Sequence, residues 1–191
     1  NEYRLIFRNN SEEIAAYYAA QNKDYSDYYY LDYDAKLKDV NSIINLFIPE
    51  FYLSKGTEVI GGFTGGLTKM VQVKTNFDSL TVGDITFENN SIEFNTQKSS
   101  ENSLVYAHYS VASKNQKLKG KPSTENLDCN LDWDGNEIDF LVNIDQSNTT
   151  NYVKTAGHIE FLPNETNITM KPSEFRAIDK IWRLSKNNHT N

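Results

Sequence analysis

From Leu127 onward the chain keeps a period that only extended backbone can satisfy. Leu127, Cys129, Leu131 and Trp133 take every second place, and Asp128, Asn130, Asp132 and Asp134 fill the places between. A repeat of two puts one set on one face of a strand and the other set on the opposite face. Ile138, Phe140, Val142 and Ile144 answer across Asp134-Gly135, the dipeptide of a tight hairpin.

The same period recurs along most of the chain. Tyr29, Leu31, Tyr33, Ala35 and Leu37 alternate with Tyr30, Asp32, Asp34 and Lys36. Phe51 and Leu53 open a short strand that ends at Gly56. Val59, Gly61 and Phe63, a turn at Gly65-Gly66, then Leu67, Val71 and Val73 read as a hairpin, because a helix there would lose about 1 kcal/mol at each glycine. Ile85 and Phe87, a turn at Asn89-Asn90, then Ile92 and Phe94 read as another. Val105, Ala107, Tyr109 and Val111 form one face of a longer strand. Ile159 with Phe161, Ile168 with Met170, and Trp182 with Leu184 supply the closing strands.

Two segments break the rhythm. Ser11 caps a helix predicted over about 11–21, with Glu12 and Glu13 at its positive end and Ile14, Tyr17, Tyr18 and Gln21 at helical spacing. Val40, Ile43, Ile44 and Phe47 suit a second short helix over about 39–47, which Pro49 stops. Lys114, Lys117, Lys119 and Lys121, interleaved with Gly120 and Pro122, read as a solvated loop reaching Glu125.

Some nine strands with one apolar face each and two short helices leave little to cover them. Either two sheets pack face to face, or one sheet curls around an open apolar trough. Spacing does not separate the two.

Composition narrows the chemistry. Twelve Tyr and ten Phe suit a pleated surface. Acids outnumber bases 26 to 19, for a net charge of −7, so the chain lacks the cationic surface that nucleic acid requires. Cys129 is the single cysteine, which excludes an internal disulfide and a thiolate metal cluster. Asp128 beside it raises the thiol pKa and disfavours a nucleophile. No apolar run approaches the roughly 18 residues that a spanning helix needs. The first residue is Asn1 rather than Met, as expected of a chain with something removed upstream. Six Asn-x-Ser/Thr sites in so Asn-rich a chain say little.

Motif by motif, catalysis finds no foothold. Gly61-Gly62-Phe63-Thr64-Gly65-Gly66 lacks the Lys-Ser/Thr of a phosphate-binding loop. Asn130 to Gly135 opens like a calcium loop, but Leu141 stands where a bidentate Glu is required. His108 and His158 fall on the polar faces of their strands, and His189 lies in a polar tail. No His pair has metal spacing, and neither a catalytic triad nor a carboxylate pair can be read. The expectation is no enzyme, no cofactor and no metal.

Two stretches carry a family resemblance. Phe47-Ile48-Pro49-Glu50-Phe51-Tyr52-Leu53-Ser54-Lys55-Gly56-Thr57, followed by Gly61-Gly62-Phe63, resembles a segment that recurs in TamB-like proteins. Leu131-Asp132-Trp133, Gly157-His158-Ile159, Pro172-Ser173-Glu174-Phe175 and Ile181-Trp182-Arg183-Leu184-Ser185 are similar to a succession found later in the same family, and the order holds across residues 28 to 187. TamB-like proteins belong to the AsmA-like, bridge-like lipid-transfer superfamily. The resemblance implies a mostly β, curved, taco-like antiparallel sheet with an apolar inner face and one or two short helices. It implies a periplasmic segment of a longer, inner-membrane-anchored protein, spanning residues 1–191 as a single β-rich unit. Its role would be to guide phospholipid or another apolar ligand, or to assist outer-membrane protein assembly with an outer-membrane barrel protein as partner. The family has no catalytic residues to carry over.

The trough candidates are Ile85, Phe87, Ile92, Phe94, Leu131, Trp133, Ile138, Phe140, Val142, Ile159 and Phe161. Burying each acyl CH₂ against such a wall is worth about 0.8 kcal/mol, without the directional contacts that would trap a lipid. Two other readings stand beside this one. A β-sandwich adhesion or ligand-binding module would seal those residues between sheets. A helix-and-sheet cone of the nuclear-transport-factor-2 type, with His108 as acid or base, would need long helices within residues 11 to 72.

Overall fold

The computed structural model describes residues 5–8, 29–65, 69–98 and 104–184. The helix predicted over 11–21 and the turn at Gly66 lie outside these residues. The strands are β1 (Leu5–Arg8), β2 (Tyr29–Leu37), β3 (Phe51–Leu53), β4 (Thr57–Gly65), β5 (Lys69–Val82), β6 (Ile85–Lys98) and β7 (Tyr106–Leu118). They continue as β8 (Thr124–Asp134), β9 (Glu137–Gln146), β10 (Tyr152–Phe161), β11 (Thr166–Met170), β12 (Ser173–Ala177) and β13 (Lys180–Leu184). The one helix among the described residues, α1, covers Asn41–Ile44 and unwinds through a turn before Pro49.

All thirteen strands join one antiparallel sheet in the order β1-β2-β4-β5-β6-β7-β8-β9-β10-β12-β13. It is a meander that stays open, with β1 and β13 at its two ends. β3 shares the outer edge of β5 with β4, and β11 shares that of β10 with β12. A serine closes each seam. The Ser54 hydroxyl accepts a hydrogen bond from Ser79 N at 3.2 Å, and the buried Ser173 hydroxyl accepts one from Ala156 N at 3.1 Å. Apart from ladder neighbours, the only substantial packing among the described elements is α1 against β3. One sheet replaces the two of the sandwich alternative. Outside α1, the described part of residues 11–72 is mainly strand, so the helix-and-sheet cone is not this fold.

Two expected connections are corrected. Asn89-Asn90 does not reverse the chain, because β6 runs unbroken from Ile85 to Lys98. The Lys114–Glu125 loop shrinks to residues 119–123, because β7 continues to Leu118 and β8 begins at Thr124. Lys117 is held within β7 by Glu88 of β6, 2.5 Å away.

In place of the expected turn the structure has a crease at Asn89. The ladder skips the pairs Asp78/Asn89, Asn89/Lys114 and Lys114/Asn126, so one row fails across four adjacent strands. Asn89 and Asn126 each adopt φ of 54°, a left-handed conformation that Asn tolerates better than most side chains. Polar side chains close the crease. Asn90 Nδ2 donates to Phe87 O, and Gln116 Nε2 donates to Ser113 O at 2.8 Å while Gln116 Oε1 accepts from the Thr124 hydroxyl at 3.0 Å. Phe77, the one large apolar side chain that counts as buried among the described residues, sits in the same row as buried Asn90 and Ser113.

Folding as one layer leaves much surface bare. Among the described residues Trp133, Phe161, Ile168, Ile181 and Trp182 are all exposed, and Phe77 is the one buried large apolar side chain.

Candidate apolar binding face

In an antiparallel ladder, directly opposed residues share a face, so the registers assign every side chain to one side of the sheet. Tyr33, Gly61, Val73, Phe94, Tyr109, Leu131, Phe140, Gly157 and Met170 are opposed in succession, forming a single row across nine strands. At about 4.8 Å per strand the row is nearly 40 Å long. On one side of it runs Leu31, Phe63, Val71, Thr96, Ala107, Trp133, Ile138, Ile159 and Ile168; on the other runs Val59, Thr75, Ile92, Val111, Cys129, Val142 and Thr155. Val153, Phe175 and Trp182 carry the face onto the last strands, with the two rings stacked at 6.0 Å.

Nine of the expected trough residues therefore lie on one continuous face: Ile92, Phe94, Leu131, Trp133, Ile138, Phe140, Val142, Ile159 and Phe161. Ile85 and Phe87 lie beyond the crease. They have odd numbers where Ile92 and Phe94 have even ones, and an unbroken pleat would send the two pairs to opposite faces. The left-handed residue Asn89 breaks the pleat between them. On β5, Val71, Val73 and Phe77 likewise give way to Leu80 and Val82 across the same row. The change of phase in the sequence coincides with the break in the backbone.

Within the face, glycines admit neighbouring rings. Gly157 is buried opposite Phe140, and a Cβ there would come within 2.5 Å of the ring and 3.1 Å of Thr169 O. Gly61 lies opposite Tyr33, whose hydroxyl occupies the space a Cβ would take. Phe94 and Tyr109 meet edge to face at 6.2 Å. Yet no large side chain is completely buried, and Trp133, Phe161, Ile168 and Trp182 are exposed. The face is assembled but not roofed by any described residue.

The reverse face is mostly polar, with Ile60 and Leu141 as exposed exceptions in one row. Opposite one another stand Asn95, His108, Asp132, Asp139, His158 and Thr169. His108 Nδ1 lies 2.8 Å from Asp132 and His158 Nδ1 lies 3.0 Å from Asp139. Hydrogen bonds from His108 and Tyr106 hold the Asp132 carboxyl below its usual range, while Asp139 opposite pushes it the other way. Lys171 and His158 do the same for Asp139. These side chains point at each other on an open surface. Cys129 stays on the apolar side, where burial and then Asp128 push its thiol up, as the sequence implied. Among the described residues no group of three or more His, Cys, Asp or Glu is arranged to hold a metal ion, and no helix is long and apolar enough to cross a membrane.

Sequence reasoning missed part of the face. Tyr33, Phe63, Val73, Tyr109, Phe175 and Trp182 belong to it. Their alternation was visible, but membership depends on which strands are neighbours. Reading the chain as a plain meander would have found them.

Fold and face together define a class: a single-layer antiparallel β protein, apolar on one side and hydrophilic on the other. Beyond that class the comparisons are silent, since no family model, curated protein or solved structure matches this chain.

Proposed function

We propose that this chain is a non-catalytic, lipid-guiding segment of the TamB-like kind, working in the periplasm as part of a longer inner-membrane-anchored protein. Phospholipid acyl chains would lie along the apolar rows, crossing from strand to strand, with headgroups held towards solvent. One observation supports this most: an apolar row nine strands wide has no second layer over it among the described residues. The motif succession from Phe47 to Ser185 supports it from the sequence. A wall of Leu, Ile, Val and Phe holds a tail by contact area alone, and at about 0.8 kcal/mol per CH₂ the energy varies little as the tail slides.

The test is lipid content. Chain purified without detergent is expected to carry phospholipid detectable by mass spectrometry. Leu131→Asp with Phe140→Asp puts two carboxylates opposite one another in the central row and should lower bound lipid at least about tenfold, because a charge on an apolar wall must be desolvated. Circular dichroism checks that the sheet persists. Unchanged lipid in a folded variant defeats the proposal.

A further inference from the structure

The end of α1 and the turn that follows it present a second apolar feature. Ile43, Leu46, Phe47 and Ile48 are 61%, 79%, 80% and 50% exposed. Three of them are consecutive, and neighbours in a helical turn point about 100° apart, so these side chains radiate instead of forming one plane. The turn is fastened at both ends. The buried Asn41 amide acts as a strand partner for Leu53, accepting from Leu53 N at 2.8 Å and donating to Leu53 O at 3.0 Å. At the other end Gly83 N donates to Glu50 O at 3.1 Å, with Glu50 in a left-handed conformation (φ 63°). A firmly mounted knob of exposed aliphatic and aromatic groups costs free energy in water, and a loop free to fold back would bury them.

We infer that this knob inserts into the surface of a lipid bilayer. A protein partner accepts side chains that share one face, whereas a fluid apolar medium accepts them in every direction. The charges nearby match that occupant. Residues 36–58 contain Lys36, Lys38 and Lys55 against Asp39, Glu50 and Glu58, and two pairs are already closed, Lys36–Glu58 at 3.0 Å and Lys55–Asp39 at 3.1 Å. No cationic collar remains for anionic headgroups, so zwitterionic lipid is the expected target and contact area the driving force. The inference does not rest on lipid occupying the sheet face.

The experiment is sedimentation of the full chain with sucrose-loaded phosphatidylcholine vesicles. Wild type is expected to pellet with them, at a level unchanged by added salt or phosphatidylserine. Leu46→Asp with Phe47→Asp alters exposed positions only and should weaken binding at least about tenfold, while leaving co-purified lipid and the circular dichroism spectrum intact. A fluorophore on F47C in a C129A background should shift to the blue on vesicle addition. Leu131→Asp with Phe140→Asp should bind vesicles as wild type does, so the row and the knob fail separately. The inference is overturned if wild type stays in the supernatant, if the knob variant still pellets, or if that variant changes oligomeric mass rather than vesicle binding.

Discussion

At Gly157 a single hydrogen in place of a methyl group leaves the space that the outer edge of the Phe140 ring occupies. Alanine there would drive Cβ into the ring, with Thr169 O blocking retreat. Overpacking of this kind costs about 1–3 kcal/mol, more than alanine recovers by stiffening the unfolded chain. Gly157→Ala should therefore lower the urea midpoint by an amount corresponding to at least 1 kcal/mol, about tenfold less bound lipid being no part of the expectation. A midpoint at or above wild type would show that the ring has room to swing aside. The sequence displayed Gly157 within an alternating strand but not its reason. The glycine is explained by Phe140, seventeen positions away, and only the register joins the two. His108 and His158 were easier, since parity alone put them on the polar side. Their partners Asp132 and Asp139 required knowledge of neighbouring strands.

Elements were legible where a strand ended in a turn that also closed a hairpin. Asp134-Gly135 did both, and Gly135 duly has φ of 61° between β8 and β9. Asn89-Asn90 carried the same local signal and meant something else. A left-handed Asn serves a hairpin and a crease equally well, and what distinguishes them is whether the flanking strands have partners on both sides. β6 does, in β5 and β7, so the chain continues. The crease makes a paired prediction. Asn89→Gly keeps access to φ of 54° and should leave stability within about 0.5 kcal/mol of wild type. Asn89→Val must hold a β-branched side chain in that region and should cost about 1–2 kcal/mol. Thermal and urea unfolding of the two variants check it. Equal losses would mean that the Asn89 side chain, rather than its backbone, sustains the crease.

For the molecule as a whole, the sequence conveyed an antiparallel sheet with one greasy side but left open whether a second sheet covers it. Alternation is the same in a sandwich and in a trough, because it reports each strand's two faces and nothing about layers. The described residues form one layer, and that has a consequence in solution. Monomers seldom expose contiguous apolar patches beyond a few hundred Å², yet here three adjacent rows of mostly apolar residues cross most of the sheet. If lipid occupies this face as proposed, removing the lipid leaves it to be covered by another copy. Chain stripped of lipid by reversed-phase extraction and refolded should self-associate, its sedimentation-equilibrium mass rising with concentration. Added lysophosphatidylcholine should compete for the same surface and return it towards the monomer. Leu131→Asp with Phe140→Asp should stay monomeric over the same range, since two carboxylates facing each other in the central row would meet another pair across a face-to-face contact. Self-association that lysolipid cannot reverse would locate the contact elsewhere, at the edges of β1 or β13 that no described strand pairs. A stripped chain that remains monomeric at every concentration would mean that its own remaining residues already cover the apolar face, and no path for acyl chains would be left.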